Sequence, residues 1–300
     1  MVKCAAEGNR QGGISKFDDT LRCRSGQTRL VRTDSHIRGE NPGQFSLPCA
    51  SMGRLYNESM RILGVIPARL GSTRLPRKVL LPIAGRPMIE WVWRAAVDSR
   101  QMDEVVVATD SEEVLEACAK RGIPARMTPA GCASGSDRVY AVAQQVQAEI
   151  YVNIQGDEPL LTPQHFAPML ELFARDTVRV ATVAVPCPQE DVANPNAVKV
   201  VMAGDSRALY FSRSTIPFDR DAAGGVAWRK HLGLYAYRRD ALAEFAQLPP
   251  SPLEIAERLE QLRMLENGMD IYVGEAVGDT IGVDTEADRA RVEQILSARS

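Results

Sequence analysis

Four cations in ten residues, set directly behind an apolar run, describe a site for a polyphosphate. The run is Ile62–Ile66. The loop after it reads Pro67-Ala68-Arg69-Leu70-Gly71-Ser72-Thr73-Arg74-Leu75-Pro76-Arg77-Lys78. Gly71 permits close backbone approach. Successive backbone N–H groups, with the Ser72 and Thr73 hydroxyls, can cradle phosphate oxygens. Arg69, Arg74, Arg77 and Lys78 match the charge of a triphosphate better than that of a neutral ligand. The segment is neither a GxxxxGK[ST] loop nor a GxGxxG turn, so a P-loop and a dinucleotide site are both disfavoured. Charge alone would equally describe a solvated basic loop. Its position after the first buried strand favours phosphate binding.

Carboxylates stand where a counter-ion would be wanted. Asp157 follows the strand-like Ile150–Gln155 within Gly156-Asp157-Glu158-Pro159, and Asp284 lies in Gly282-Val283-Asp284-Thr285. Asp157 is the natural ligand for Mg²⁺, which takes one or two carboxylates together with phosphate oxygens. Asp284 has two readings, a second metal carboxylate and a cap for the closing helix. Its spacing favours the cap. The loop Ala133-Ser134-Gly135-Ser136-Asp137-Arg138 also has two readings. It can cap the helix that follows, or its backbone can read a base edge with Arg138 beside it. Residue chemistry alone does not separate them.

The elements that must position these groups follow from hydrophobic pattern. Ile62–Ile66, Glu104–Thr109 and Ile150–Gln155 are β-branched runs without clean alternation, which marks strands covered on both faces. Between them lie helices expected at Met88–Val97 (with Met88, Trp91, Val92 and Ala95 on one face), Glu112–Arg121 and Asp137–Glu149. This order implies a three-layer, Rossmann-like α/β fold. Its mixed, mostly parallel sheet is flanked by helices, with ligands beyond the strand ends. The second half reads as strands at Val180–Val185, Ala197–Met202 and Leu232–Tyr237, consistent with antiparallel additions. A long helix is expected over Pro252–Asn267, a strand at Asp270–Val273 and a helix at Thr285–Ala298.

Composition excludes several classes. The chain has 300 residues, 45% hydrophobic and 25% charged, with a net charge of −2. A chain-wide basic surface for nucleic acid is absent, and no apolar run reaches the length of a membrane span. Six scattered cysteines without a CxxC and three histidines argue against a disulfide framework and a zinc site. The apolar stretch of a secretory signal is missing from the N-terminus, so a cytoplasmic protein is expected. Residues 1–59 carry nine Lys/Arg against six Asp/Glu and show no sustained periodicity. They read as a disordered extension, or as the product of a start assigned upstream of Met60. Glu7, Asp18, Asp19, Asp34 and Glu40 argue against a transit peptide.

Across 60–300 the motifs form a recognisable series: IPARLGSTRLPRK (66–78), VATD (107–110), SGSDR (134–138), NIQGDEP (153–159), NPNAVKVV (194–201), ALYFSRSTIPFDRD (208–221), HLGLYAYR (231–238), SPLEIAERLEQLR (251–263) and GVDT (282–285). The series resembles the sugar-activating nucleotidyltransferases and, within them, the 3-deoxy-manno-octulosonate (KDO) cytidylyltransferase family. The resemblance implies transfer of CMP from CTP to the anomeric hydroxyl of KDO, with release of pyrophosphate, for lipopolysaccharide synthesis. It implies Mg²⁺ and a cytoplasmic homodimer. By the same resemblance Arg69, Ser72, Arg74 and Lys78 hold the triphosphate, Pro67, Ala68 and Gly71 also belong to the CTP site, and Ser134, Gly135 and Arg138 lie by the cytidine. Asp157 and Asp284 hold the metal, which sets aside the cap preference for Asp284. Arg69, Lys78, Asp157 and Asp284 carry catalysis. Gln155, Arg213, His231, Tyr235, Glu260 and Gln261 match positions that hold the sugar acid, with Arg213 the natural bidentate partner of its carboxylate.

Without the resemblance, blander readings apply. His231 would be a structural histidine and Arg213 a surface partner of Asp219 or Asp221. The glutamates of 254–260 would be a solvated helix face with i,i+4 partners. Arg77 stands where the family commonly has glycine. Two rival functions are a cytidylyltransferase for a related acid sugar and a catalytically silent nucleotide-binding module. Retention of both aspartates and the loop cations disfavours the silent module.

Overall fold

The computed structural model describes residues 60–71, 75–221 and 224–299. The extension read in residues 1–59 lies outside the described residues, as do Ser72, Thr73 and Arg74.

The first half alternates strand and helix. β1 (Ile62–Ala68) is followed by a small hairpin of β2 (Pro82–Ile83) and β3 (Arg86–Pro87). Then come α1 (Met88–Asp98), β4 (Glu104–Thr109), α2 (Glu112–Ala119), β5 (Ala125–Met127), α3 (Gly135–Ala143), β6 (Ile150–Asn153) and α4 (Pro163–Glu171). The second half holds β7 (Val180–Pro186), β8 (Lys199–Met202), β9 (Ala208–Ser212), β10 (Arg229–Arg238), α5 (Arg239–Phe245), α6 (Pro252–Glu257), α7 (Gln261–Glu266), β11 (Tyr272–Glu275) and α8 (Glu286–Arg299).

The main sheet runs β11-β7-β10-β6-β1-β4-β5, with β8 beside β10 and β9 beside β8. β1 is parallel to both β4 and β6, whereas β10 is antiparallel to β6 and β7, as the change in pattern between the halves implied. Side chains of β1 alternate between two apolar layers. Ile62 and Ile66 join Ile89 and Val92 of α1 and Phe166 of α4. Leu63 and Val65 join Val139 of α3, Leu242 of α5 and Leu262 of α7. Coverage on both faces is why the strand reads as an unbroken apolar run. No helix among the described residues is long and apolar enough to cross a membrane.

Three expectations are corrected. The helix read over Pro252–Asn267 is two, because Arg258 turns left-handed (φ 56°) after α6. Leu259 and Leu262 are thereby buried, and Glu254 pairs with Arg263 at 2.6 Å. Glu254 thus takes Arg263, nine positions on, in place of an i,i+4 partner. α3 ends at Ala143 instead of Glu149, since the buried Tyr151 hydroxyl captures the backbone there: it donates to Val146 O (2.8 Å) and accepts from Ala148 N (2.9 Å). On α1 the buried face is Met88, Ile89, Val92 and Ala96, while Trp91 sits at the edge and donates to Ile83 O. The sequence reading did not place α4, α5, β5, β9 or the hairpin.

Candidate active site

The carboxyl ends of β1 and β6 open into one groove made of two joined cavities, about 650 and 580 Å³. Pro67, Ala68, Arg69, Gly71, Lys78, Ser134, Gly135 and Arg138, all expected around CTP, line the smaller cavity. Gln155, His231, Tyr235, Glu260 and Gln261, all expected around the sugar, line the larger. Asp157 and Asp284 line both, as do Gly135, Gln155 and Glu260. Ser72 and Arg74 lie outside the described residues. Glycine is required at 156: a Cβ there would sit 2.9 Å from the Pro67 carbonyl oxygen, where the exits of β6 and β1 cross.

The two aspartates meet at Lys78. Its ammonium donates to Asp157 Oδ2 at 2.6 Å and to Asp284 Oδ1 at 2.9 Å. Burial alone would lower this lysine, but Asp157 and Asp284 outweigh it and hold the ammonium above its ordinary pKa. Val283 N donates to the Asp157 carbonyl at 2.9 Å, and the Val283 side chain is buried in a third apolar cluster with Val292 of α8. The loop carrying Asp284 is thus pinned to the loop carrying Asp157. Capping of α8 falls to its neighbours: Asp288 N donates to Thr285 Oγ1, and Asp288 Oδ2 accepts from Thr285 N. The cap of the GVDT segment thus falls on Thr285, and the Asp284 side chain faces Lys78.

Arg77, just before Lys78, has φ 57° and pairs with Glu113. A side chain in this region costs about 1–2 kcal/mol relative to glycine. Arg77→Gly is expected to raise stability by about 1 kcal/mol, net of the lost surface ion pair. Urea unfolding of the two proteins checks this.

The Ser134–Arg138 loop caps its helix and also lines the groove. Ser134 Oγ accepts from Asp137 N, and Asp137 Oδ2 accepts from Ser134 N, a reciprocal cap at the start of α3. The same loop walls the smaller cavity. Arg138 is buried, donating to Asp110 Oδ2 (2.9 Å) and Thr128 Oγ1 (2.6 Å). Two residues earlier in α3, Ser136 Oγ donates to Glu260 Oε2 at 3.0 Å, so Glu260 is not on a solvated face. Burial pushes the Glu260 carboxyl above its ordinary value.

Four residues lining the larger cavity carry buried polar atoms without a hydrogen bond: Asn153 Oδ1, Glu158 Oε2, Tyr235 Oη and Gln261 Nε2. Buried polar atoms are normally paired, which sets this region apart from the core.

A family model described as Cytidylyltransferase matches residues 63–271. The chain is 64% identical over 241 residues to a 3-deoxy-manno-octulosonate cytidylyltransferase of Acidobacterium capsulatum, covering 80% of this chain and 98% of that one. It is 54% identical over 257 residues to the protein of the same name from Koribacter versatilis, covering 86% and 98%. The chain belongs to the 3-deoxy-manno-octulosonate cytidylyltransferase family. A solved structure of CMP:2-keto-3-deoxy-manno-octonic acid synthetase complexed with CTP shares 42% identity, covers 80% of this chain and all of that one, and superposes with a TM-score of 0.77.

As a cytidylyltransferase, the protein departs from its motif-based assignments at Arg213. The Arg213 side chain does not line either cavity, nor does it pair with Asp219 or Asp221. Its guanidinium donates to the carbonyls of Glu257 (2.7 Å), Pro195 (3.0 Å) and Arg258 (3.4 Å). Motif reading also passed over Asn153, Glu158 and Lys230. The first two sit inside the quoted NIQGDEP segment, where only Gln155 and Asp157 were singled out. Lys230 bridges Asp191 and Asp279 at the far wall. Glu158 is pushed up to about 7, first by burial and then by neighbouring Asp157.

His231 lines the cytidylyltransferase groove as a neutral imidazole. It is buried against Phe211 and Tyr235, its Nε2 is 3.0 Å from Thr182 Oγ1, and burial drives its pKa down to about 3. Unfolded, it would protonate near 6.5. Its contribution to stability is therefore complete above that pH and declines as pH falls from 6.5 toward 3. Between pH 7 and 5 this group is expected to remove about 2 kcal/mol of stability. His231→Gln should lack that component in denaturant melts at the two pH values.

Proposed function

We propose that this groove transfers CMP from CTP to the anomeric hydroxyl of 3-deoxy-manno-octulosonate. The observation that carries this reading is the sorting of residues. Arg69, Gly71, Lys78 and Arg138 line one cavity, His231, Tyr235 and Gln261 line the other, and the aspartate pair lies at their junction with Gly135, Gln155 and Glu260.

Chemically, the anomeric hydroxyl oxygen attacks the α-phosphorus and its proton passes to solvent. The bond between that phosphorus and the bridging oxygen to the β-phosphorus breaks, and pyrophosphate leaves in line. Such transfers need positioning and charge neutralisation more than covalent assistance. Arg69 and Lys78 supply positive charge to the triphosphate. Arg138, anchored by Asp110 and Thr128, shapes the cytidine side. Gln155, Tyr235, Glu260 and Gln261 orient the sugar hydroxyls.

The aspartate pair also fits Mg²⁺. Among the described residues no group of three or more His, Cys, Asp or Glu gathers as a metal cage. Two hard oxygen donors beside a phosphate loop are what magnesium uses with nucleotides. Asp157 and Asp284 would hold it, and when bound it would offset phosphate charge and lower the pKa of an attached hydroxyl. Lys78 supplies a counter-charge to both carboxylates.

Pyrophosphate release by the purified chain, with CTP, UTP, ATP or GTP and with or without KDO, tests the reading. Release requiring CTP and KDO together is expected. CTP binding without release in any KDO pair would move the acceptor to another acid sugar. No CTP binding would leave a silent module.

The same proposal includes a cytoplasmic homodimer serving lipopolysaccharide synthesis, supported by the family relationship. Light scattering is expected to give twice the 32.9 kDa chain mass. Residues 60–300 are proposed to suffice: deleting 1–59 should leave pyrophosphate release within about twofold.

A further inference from the structure

We propose that Arg213 is a positioning residue which, seated on the buried Lys199, fixes the two segments that wall the sugar side of the groove. This rests on the function proposed above.

Lys199 lies at the start of β8 with no exposed surface. Its ammonium donates to the carbonyl oxygens of Asn194 (2.8 Å), Ala197 (2.6 Å) and Arg213 (2.8 Å). Three donors meet three acceptors, the condition under which a buried cation is tolerated. Arg213 continues the chain of contacts. Its backbone N–H donates to Glu257 Oε2 at 3.0 Å, and the same carboxylate accepts from Ser212 Oγ at 2.6 Å. Its Nε, Nη1 and Nη2 donate to Glu257 O, Pro195 O and Arg258 O.

All these carbonyls, apart from that of Arg213 itself, belong to two segments, 194–197 and 257–258. Both run straight into the larger cavity: Asn194, Asn196 and Ala197 line it from one, Arg258, Glu260 and Gln261 from the other. The second segment contains the left-handed Arg258, a conformation that persists in a residue with a side chain only when its surroundings hold it. Two donors of one guanidinium on the consecutive carbonyls of 257 and 258 supply that hold. They keep α6 and α7 apart, and Gln261 is then buried against the cavity instead of continuing a solvated helix. A planar fork reaches both segments at once, which a single ammonium at position 213 could not do.

The test uses the full-length chain with Arg213→Met, Arg213→Lys and Lys199→Met. Three quantities are read: KM and kcat for KDO from pyrophosphate release, CTP affinity by calorimetry without KDO, and hydrogen–deuterium exchange of the substrate-free protein. For Arg213→Met we expect KM for KDO to rise about tenfold, with kcat and CTP affinity each within about threefold. Exchange should quicken at 194–197 and 257–262 before any substrate is added. Arg213→Lys should recover part of that protection. Lys199→Met should quicken the same segments, and adding Arg213→Met to it should raise KM by less than the product of the single effects.

A raised KM with unchanged substrate-free exchange would overturn the proposal and make Arg213 a direct sugar ligand. Faster exchange with unchanged KM would reduce it to a structural brace. If Lys199→Met loses CTP binding through misfolding, Arg213→Lys decides on the same readouts. Failure of the wild-type chain to release pyrophosphate with CTP and KDO would overturn the proposed function separately, and exchange in Arg213→Met would still decide whether this residue holds the two segments.

Discussion

Replacing Asp157 with asparagine is expected to reduce kcat by on the order of 10³-fold or more while leaving the fold intact. The substitution conserves shape and removes one unit of negative charge from the junction of the two cavities. Its structural consequences are small because the tie between the two aspartate loops runs through the Asp157 backbone carbonyl, which accepts from Val283 N at 2.9 Å. Lys78 retains Asp284 at 2.9 Å, so no cation is stranded. Thermal melting should therefore shift by no more than a few degrees. Turnover should be lost at every Mg²⁺ concentration, since one carboxylate with phosphate oxygens makes a much weaker site. Pyrophosphate release across a Mg²⁺ titration, with a circular dichroism melt as control, measures both. Mg²⁺-dependent turnover near the wild-type level would overturn the proposed metal role of Asp157.

Lys78→Met should lower kcat by on the order of 10²-fold and, at the same time, reduce the Mg²⁺ concentration needed for half-maximal rate. The two effects have opposite origins. Lys78 reaches both Asp157 and Asp284, and its side chain is only 14% exposed, so its charge acts at close range with little screening. Removing it takes positive charge away from the phosphates, which slows transfer. It also removes a cation that competes for the same carboxylates, which favours a divalent ion there. A structural role for Lys78 would predict a loss of stability without tighter apparent Mg²⁺ binding. The paired measurement is a Mg²⁺ titration of rate at saturating CTP and KDO beside a urea melt. An unchanged kcat, or a Mg²⁺ requirement that rises, would contradict the assignment.

Most of the frame that carries these groups was legible before any coordinates. β4 falls on the expected residues, and β1, β6, β7 and α2 fall within a few positions of them. Their signals are local: β-branched runs for strands buried on both faces, and the spacing of apolar positions for helices. The parallel first half and the antiparallel additions of the second followed from whether helices intervene, while β11 returns parallel to β7. Misreadings cluster where a distant side chain overrules local periodicity. Tyr151 ends α3 early by taking up the backbone at 146 and 148. The break at Arg258 divides a stretch whose apolar spacing would have supported one helix, and the donors that hold it come from Arg213.

The residue types at the site, their placement after strands, and the motif series that marks the family were determined by the sequence alone. Which atom each of them meets was decided only in three dimensions. Lys78 and Asp284 are 206 positions apart, Ser136 and Glu260 124 apart. No pattern of neighbouring residues encodes such a meeting. Tertiary packing likewise assigned the cap to Thr285 and Asp288 and left Asp284 facing Lys78. It turned Arg213 onto backbone carbonyls, and gathered four residues with unpaired buried polar atoms around one cavity. Periodicity records which face of an element is buried, since that depends on repeats of a few residues. Side-chain pairing depends on how the buried faces dock, and docking is a property of the whole core.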